Sequence, residues 1–103
     1  MIIVTPEAAA QIKKSAVLSD AQDVPLRIAV ERKADGSFHY AMGFDDQPRP
    51  GDLAVESEGV ALVVNGIAEP LLKGTMLDFI DLDGAMEFVF MNPNDPQYKP
   101  PQV

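Results

Sequence analysis

From Leu26 onward the apolar residues of this chain recur at every second position, and that period restricts most of it to strands. Leu26, Ile28 and Val30 alternate with Arg27, Ala29 and Glu31; Phe38, Tyr40, Met42 and Phe44 alternate with His39, Ala41 and Gly43. A period of two sends alternate side chains to opposite faces of a strand. The stretch "ERKADGSFHYAMGF", Glu31 to Phe44, must therefore turn the chain back on itself. A two-residue Asp35-Gly36 turn pairs Val30 with Ala41 and Ile28 with Gly43, large opposite small. A three-residue loop, Ala34-Asp35-Gly36, pairs Val30 with Tyr40, Ile28 with Met42 and Leu26 with Phe44. It also gives Gly36 the left-handed position that such loops require, so this register is preferred. Asp35 then stands at the exposed apex, with Glu31 opposite His39 on the outer face.

The helical period is confined to the N-terminus. Thr5-Pro6-Glu7 is a helix start: a hydroxyl cap, proline at the first helical position and an acid at the positive end of the dipole. Ala8, Ala9, Ile12 and Ala16 form the apolar side, Gln11, Lys13 and Lys14 face water, and "SDAQD" (Ser19 to Asp23) ends the element. "DDQPRPGD" (Asp45 to Asp52) is a turn-rich connection whose two prolines bar a central strand. "LAVESEGVALVVNG" reads as two short strands around Ser57-Glu58-Gly59, and "IAEPLL" as a single helical turn. The segments Met76 to Asp81 and Met86 to Phe90 flank Asp83-Gly84. A two-residue turn there pairs Leu77 with Phe90 and Phe79 with Phe88. The expected fold is α+β: one compact, β-rich, sandwich-like domain over residues 1–94, with an N-terminal amphipathic helix. Residues 95–103, rich in proline, are expected to be a mobile tail.

A chain of 103 residues is long enough for one domain burying about two-thirds of its unfolded surface. With eight Lys and Arg and a net charge of −8, it lacks the clustered cations that a phosphate backbone demands, which argues against nucleic acid. The N-terminus has neither the basic start nor the apolar run of a signal peptide, and no apolar stretch reaches the ~20 residues of a membrane span. A cytoplasmic protein without membrane attachment is expected. There is no cysteine, and so no thiolate ligand or nucleophile.

No catalytic constellation emerges, and no enzyme activity is expected. Ser15, Ser19, Ser37 and Ser57 lack a nucleophile elbow, and the glycines lack phosphate-loop spacing. "DFIDLDG" (Asp78 to Gly84) misses the spacing of a calcium loop, and Asp78 falls within a strand. His39 beside Glu31, within reach of Asp35, is the one arrangement with nitrogen and oxygen donors for a metal, with Asp35 and His39 the candidates. Its ordinary reading is a solvated cross-strand pair.

Several strings, in order, resemble the A-type iron–sulfur carrier family, the IscA, SufA and HesB group. "ITPEAAAQIKK" is similar to that family's opening helix, "LRIAV" to the strand before its first cysteine, and "DLAVESEGVALVVN" to its acidic middle segment. "LLKGTMLDF" and "FVFMNPN" match two further strings. The resemblance spans nearly the whole chain and implies a compact β-rich fold. It also implies three cysteine ligands, one after the "LRIAV"-like strand and two in a Cys-Gly-Cys near the C-terminus. Counted without gaps, those positions hold Asp35, Lys99 and Pro101 here. A carboxylate, a cation and a side chain without a donor cannot replace three thiolates, so no iron–sulfur cofactor is expected.

The absence of cysteine makes the chain similar to the DsrR type within that family, which implies a link to bacterial dissimilatory sulfur oxidation. The resulting expectation is a non-catalytic accessory or regulatory protein that binds another protein. Its expected interaction surface is acidic: Glu31, Asp45, Asp46, Asp52, Glu56 and Glu58. A monomer is expected, because the cysteine-bearing tail that helps relatives associate is missing. The alternative is a carrier or sensor of mononuclear iron or zinc through Asp35 and His39.

Overall fold

A computed structural model describes residues 2–96. The chain opens with a two-residue strand, β1 (Ile3–Val4), which turns at once into helix α1 (Pro6–Leu18). Thr5 caps that helix: its Oγ1 accepts the Ala8 N–H at 3.2 Å and donates to Asp78 Oδ1 at 2.6 Å. The cap thereby fixes the helix start to a strand 73 residues away. Ala8, Ala9, Ile12 and Ala16 form the buried side of α1, as their spacing predicts.

Two sheets follow. Strands β2 (Leu26–Arg32), β3 (Phe38–Phe44), β4 (Asp52–Ser57) and β5 (Val60–Asn65) form a four-stranded sheet in the order β3-β2-β5-β4. After a helical turn, α2 (Glu69–Leu72), strands β6 (Met76–Leu82) and β7 (Ala85–Met91) join β1 in a three-stranded sheet, β1-β6-β7. The inner faces of the sheets and α1 share one core, in which Leu62, Leu77 and Ala8 are fully buried. Tyr40 of one sheet stacks on Phe90 of the other, with ring centroids 4.5 Å apart and planes within 6°.

The β2–β3 hairpin has the expected register: Val30 faces Tyr40, Ile28 faces Met42, Leu26 faces Phe44 and Glu31 faces His39. Gly36 sits at φ +88° in the three-residue loop. The β6–β7 hairpin also pairs Leu77 with Phe90 and Phe79 with Phe88. One turn differs from the sequence reading. Ser57 pairs with Val60, so the β4–β5 turn is Glu58-Gly59 alone. Both turn residues have positive φ, 53° and 75°, the geometry whose twist matches a two-residue hairpin.

Two pairings went unforeseen. β1 lies parallel to β6, and β2 lies parallel to β5. As a result β3 and β4 run the same way at opposite edges of their sheet, and residues 45–51 must join them. The registers place Asp52 three strands across and four residues along from Asp45. That diagonal is about 20 Å, and the connecting segment reaches about 23–25 Å when extended. The segment is not extended throughout: Asp52 N–H donates to Arg49 O at 3.1 Å, so Arg49–Asp52 closes in a turn with Gly51 at φ +85°, and the remaining residues have little slack with which to cross the sheet as a strap.

Candidate functional site

The hairpin tip holds the first position where the family resemblance implies a ligand. Asp35 is exposed, but its carboxylate is occupied within its own turn. Oδ1 accepts from Ser37 Oγ at 2.6 Å and from Ser37 N at 2.9 Å. These two hydrogen bonds, the hydroxyl's first, hold the carboxyl below the usual aspartate range. Asp35 thus serves the loop, as an Asx turn does. His39 lies four residues on, directly across from Glu31 and exposed. Among the described residues no three His, Cys, Asp or Glu side chains are arranged to hold a metal ion.

Lys99 and Pro101, the other two implied positions, lie outside the described residues, as does the expected tail from residue 97 onward. The last described segment is anchored. Tyr40 Oη donates to Asp95 Oδ2 at 2.8 Å, and Asn92 Nδ2, fully buried, donates to Leu71 O at 2.7 Å. Burial, and then the Asp95 carboxylate, push the Tyr40 phenol well above its usual range. Asp95 is thus held against β3.

The expected acidic surface is divided by the strap. Arg27 projects from the outer face of β2 and is caught between two aspartates. Its Nε donates to Asp45 Oδ2 at 2.7 Å, while Nη1 and Nη2 donate to the two Asp52 oxygens at 2.9 and 2.6 Å. Nη2 also reaches Gln47 O at 3.4 Å. All three side chains are largely sequestered, at 13% (Arg27), 17% (Asp45) and 14% (Asp52) exposure. Arg27, and then the Arg49 N–H, hold the Asp52 carboxyl down to about 2; the Gln47 N–H, and then Arg27, lower that of Asp45. Arg49 adds a contact of 3.3 Å to Asp45.

Asp45 and Asp52 therefore pin the strap at its two ends and do not present free charge. Asp46, Glu31, Glu56 and Glu58 are exposed, but they are spread over the strap, β2, β4 and the β4–β5 turn. The pairing of Arg27 with these two acids was not read from the sequence. Its signal is a lone cation at an outward position of a strand otherwise lined there by alanine and glutamate.

An apolar cleft of about 250 Å³ opens between β4 and α2, lined by Ile2, Leu53, Val55, Val64 and Leu72, with Glu69 at its margin. It holds no nucleophile paired with a base. Ser57 Oγ, nearby on β4, accepts the Val4 N–H at 3.0 Å and so ties β1 to the other sheet. No helix among the described residues is long and apolar enough to cross a membrane.

Residues 1–96 match the family model described as iron-sulphur cluster biosynthesis. The chain is 31% identical over 93 residues to the iron-sulfur cluster insertion protein ErpA of Alkalilimnicola ehrlichii, covering 90% of this chain and 76% of that protein. It is 38% identical over 94 residues to a putative iron-sulfur cluster insertion protein, ErpA 2, of Burkholderia vietnamiensis, covering 87% and 73%. Among solved structures it resembles IscA with a [2Fe-2S] cluster at TM-score 0.80 and 29% identity, over 94% of this chain and 89% of that one. Escherichia coli SufA superposes at TM-score 0.72 with 28% identity, over 89% and 80%. The donor set is where this chain departs: it has no cysteine, and its Asp35 carboxylate is already engaged. These residues do not fit an iron–sulfur cluster as cargo. By sequence and by fold, the chain belongs to the iron–sulphur cluster biosynthesis family of A-type carriers, as a member without cysteine.

Proposed function

We propose that this chain keeps the A-type carrier fold as a protein-binding module and does not itself carry a cluster or catalyse a reaction. The occupation of Asp35 by Ser37, in a chain with no thiolate, is the observation that supports this most. Clusters are held by thiolates, and a carboxylate committed to two hydrogen bonds is a weak substitute. The intact inner faces of both sheets support retention of the fold for another purpose. The setting we propose is an accessory or regulatory one beside bacterial sulfur-oxidising proteins, supported by the resemblance to the cysteine-free DsrR type.

Anaerobic equilibrium dialysis against ferrous iron, with and without sulfide, tests the first part. Wild type and Asp35→Ala should retain equally little iron and develop no sulfide-dependent visible absorbance. Stoichiometric iron lost in Asp35→Ala would instead establish a mononuclear metal carrier or sensor working through Asp35. For the setting, sulfur oxidation should change in source cells lacking the chain, and an unchanged rate would remove it.

A further inference from the structure

The three-stranded sheet has an outer face that belongs to no core. Strand alternation sends Leu77, Phe79, Phe88 and Phe90 inward, where they pack with the buried cluster. The opposite side carries Ile3, Met76, Ile80, Leu82, Val89 and Met91, aligned by Ile3↔Met76, Met76↔Met91 and the rungs that follow, with Asp78 among them opposite Val89, its carboxylate accepting from Thr5 Oγ1 and Phe79 N. None of these six joins the core. Ile3 is 51% exposed, Leu82 39% and Met76 38%. Ile80, Val89 and Met91 are half-buried, and Asp78 and Glu87 interrupt the patch; an apolar sheet face of this kind marks a surface that another layer normally covers.

The charge around that face selects the cover. Residues 76–91 contain Asp78, Asp81, Asp83 and Glu87 and no Lys, Arg or His. Glu87 stands on the outer face itself, opposite Ile80, and is exposed. A second copy of the chain would bring acid against acid and a net charge of −8 against −8. A partner with basic residues flanking an apolar stripe suffers neither cost. The dimensions suit a helix: the seven residues of β6 span about 23 Å, the length of a helix of about 15 residues.

We propose that the outer face of β1-β6-β7 is the docking surface for a basic amphipathic helix of a partner protein. The partner's apolar side would lie on Ile80, Val89 and Met91, with its Lys or Arg reaching Glu87 and the acids of the hairpin. This rests on the reading of the chain as a binding module and gives that module its surface and the chemistry of its partner.

The test uses a fluorescein-labelled peptide of about 15 residues, with leucine spaced three and four apart and lysine elsewhere, read by fluorescence anisotropy at low salt. A scrambled peptide of the same composition is the control. The patterned peptide should bind at least tenfold more tightly than the scrambled one. Ile80→Ser/Val89→Ser should weaken it at least tenfold, and Glu87→Lys should weaken it more at low salt than at high. Ala41→Ser, on the outer face of the other sheet, should bind as wild type does, with circular dichroism confirming that each variant is folded. Equal binding of the two peptides, or undiminished binding by a folded double variant, would overturn the proposal. So would sedimentation showing a dimer of the wild type that the double variant abolishes, which would make a second copy the occupant. Misfolding of the double variant would pass the decision to Glu87→Lys and the scrambled control. Cluster assembly by the wild type would bring down the binding-module reading itself, an outcome separate from all of these.

Discussion

The outer face of the four-stranded sheet carries Arg27 between two aspartates, with residues 45–51 drawn across it. The outer face of the three-stranded sheet carries isoleucine, methionine, leucine and valine, with acids beside them and no base. Both faces belong to sheets whose inner sides meet in one core, so the difference does not arise from how each sheet is stabilised within. It arises from connectivity. Because β3 and β4 are parallel at opposite edges, their connection has to cross the sheet, and it neutralises its own acids on Arg27 as it does so. The β6–β7 connection is a two-residue turn, Asp83-Gly84, which crosses neither face of its sheet. One face is crossed by the chain's own path; among the described residues the other is not.

The two sheets differ in this way only if their inner sides share one core. Leu62 and Leu77, one from each sheet, are both fully buried. Leu62→Ala and Leu77→Ala should each cost about 3 kcal/mol in chemical denaturation and keep a single transition. Separate transitions, or one substitution without effect, would show two independently stable layers.

A smaller loss should follow release of the strap. Arg27→Ala leaves the Asp45 and Asp52 carboxylates with their principal cation removed. It should lower the melting temperature by more than any single substitution on the outer face of β1-β6-β7, and should admit protease cleavage within 45–51 that the wild type resists. Arg27→Lys should recover only part of this, since an ammonium cannot fork onto both oxygens of Asp52 while holding Asp45. The acid limb of stability sharpens the point. Asp52 titrates at about 2 in the folded chain, against 3.8 ordinarily. Its contribution is therefore complete above the ordinary value and is lost as pH falls through about 4 toward 2. Stability followed over that window should fall less steeply in Arg27→Ala than in wild type.

The smallest effect is expected on the outer face of β1-β6-β7. Ile80→Thr and Val89→Thr keep β-branched side chains in place and should change stability by no more than about 0.5 kcal/mol. A loss approaching that of the leucine variants would mean that these residues are packed after all.

Much of this fold was legible because its hairpins are local. The three-residue loop at Gly36 and the two-residue turn at Asp83-Gly84 each fix a register that apolar pairing then confirms, and α1 announces itself through Thr5-Pro6 and the run of alanines. What escaped was non-local or short. Ile3–Val4 is too brief to show alternation, and the parallel pairing of β2 with β5 joins segments 36 residues apart along the registered rungs. Without those pairings, nothing reveals that residues 45–51 cross a sheet or that Arg27 lies beneath them. Asp45 and Asp52 therefore looked like free acids. At the hairpin tip, sequence placed Asp35 correctly on an exposed turn, but only coordinates show its carboxylate held by Ser37. The outer face was half visible: Ile80 and Val89 fall within the segments read as strands, yet which side of the strand faces outward depends on the tertiary arrangement.

The claim that a carrier fold persists here without its ligands is tested most directly by restoring them. Cluster assembly should be followed by visible absorbance during anaerobic reconstitution with ferrous iron and sulfide, comparing wild type with Asp35→Cys/Lys99→Cys/Pro100→Gly/Pro101→Cys. A sulfide-dependent cluster spectrum is expected in the restored chain and none in the wild type. A cluster spectrum of equal strength in the wild type would contradict the claim.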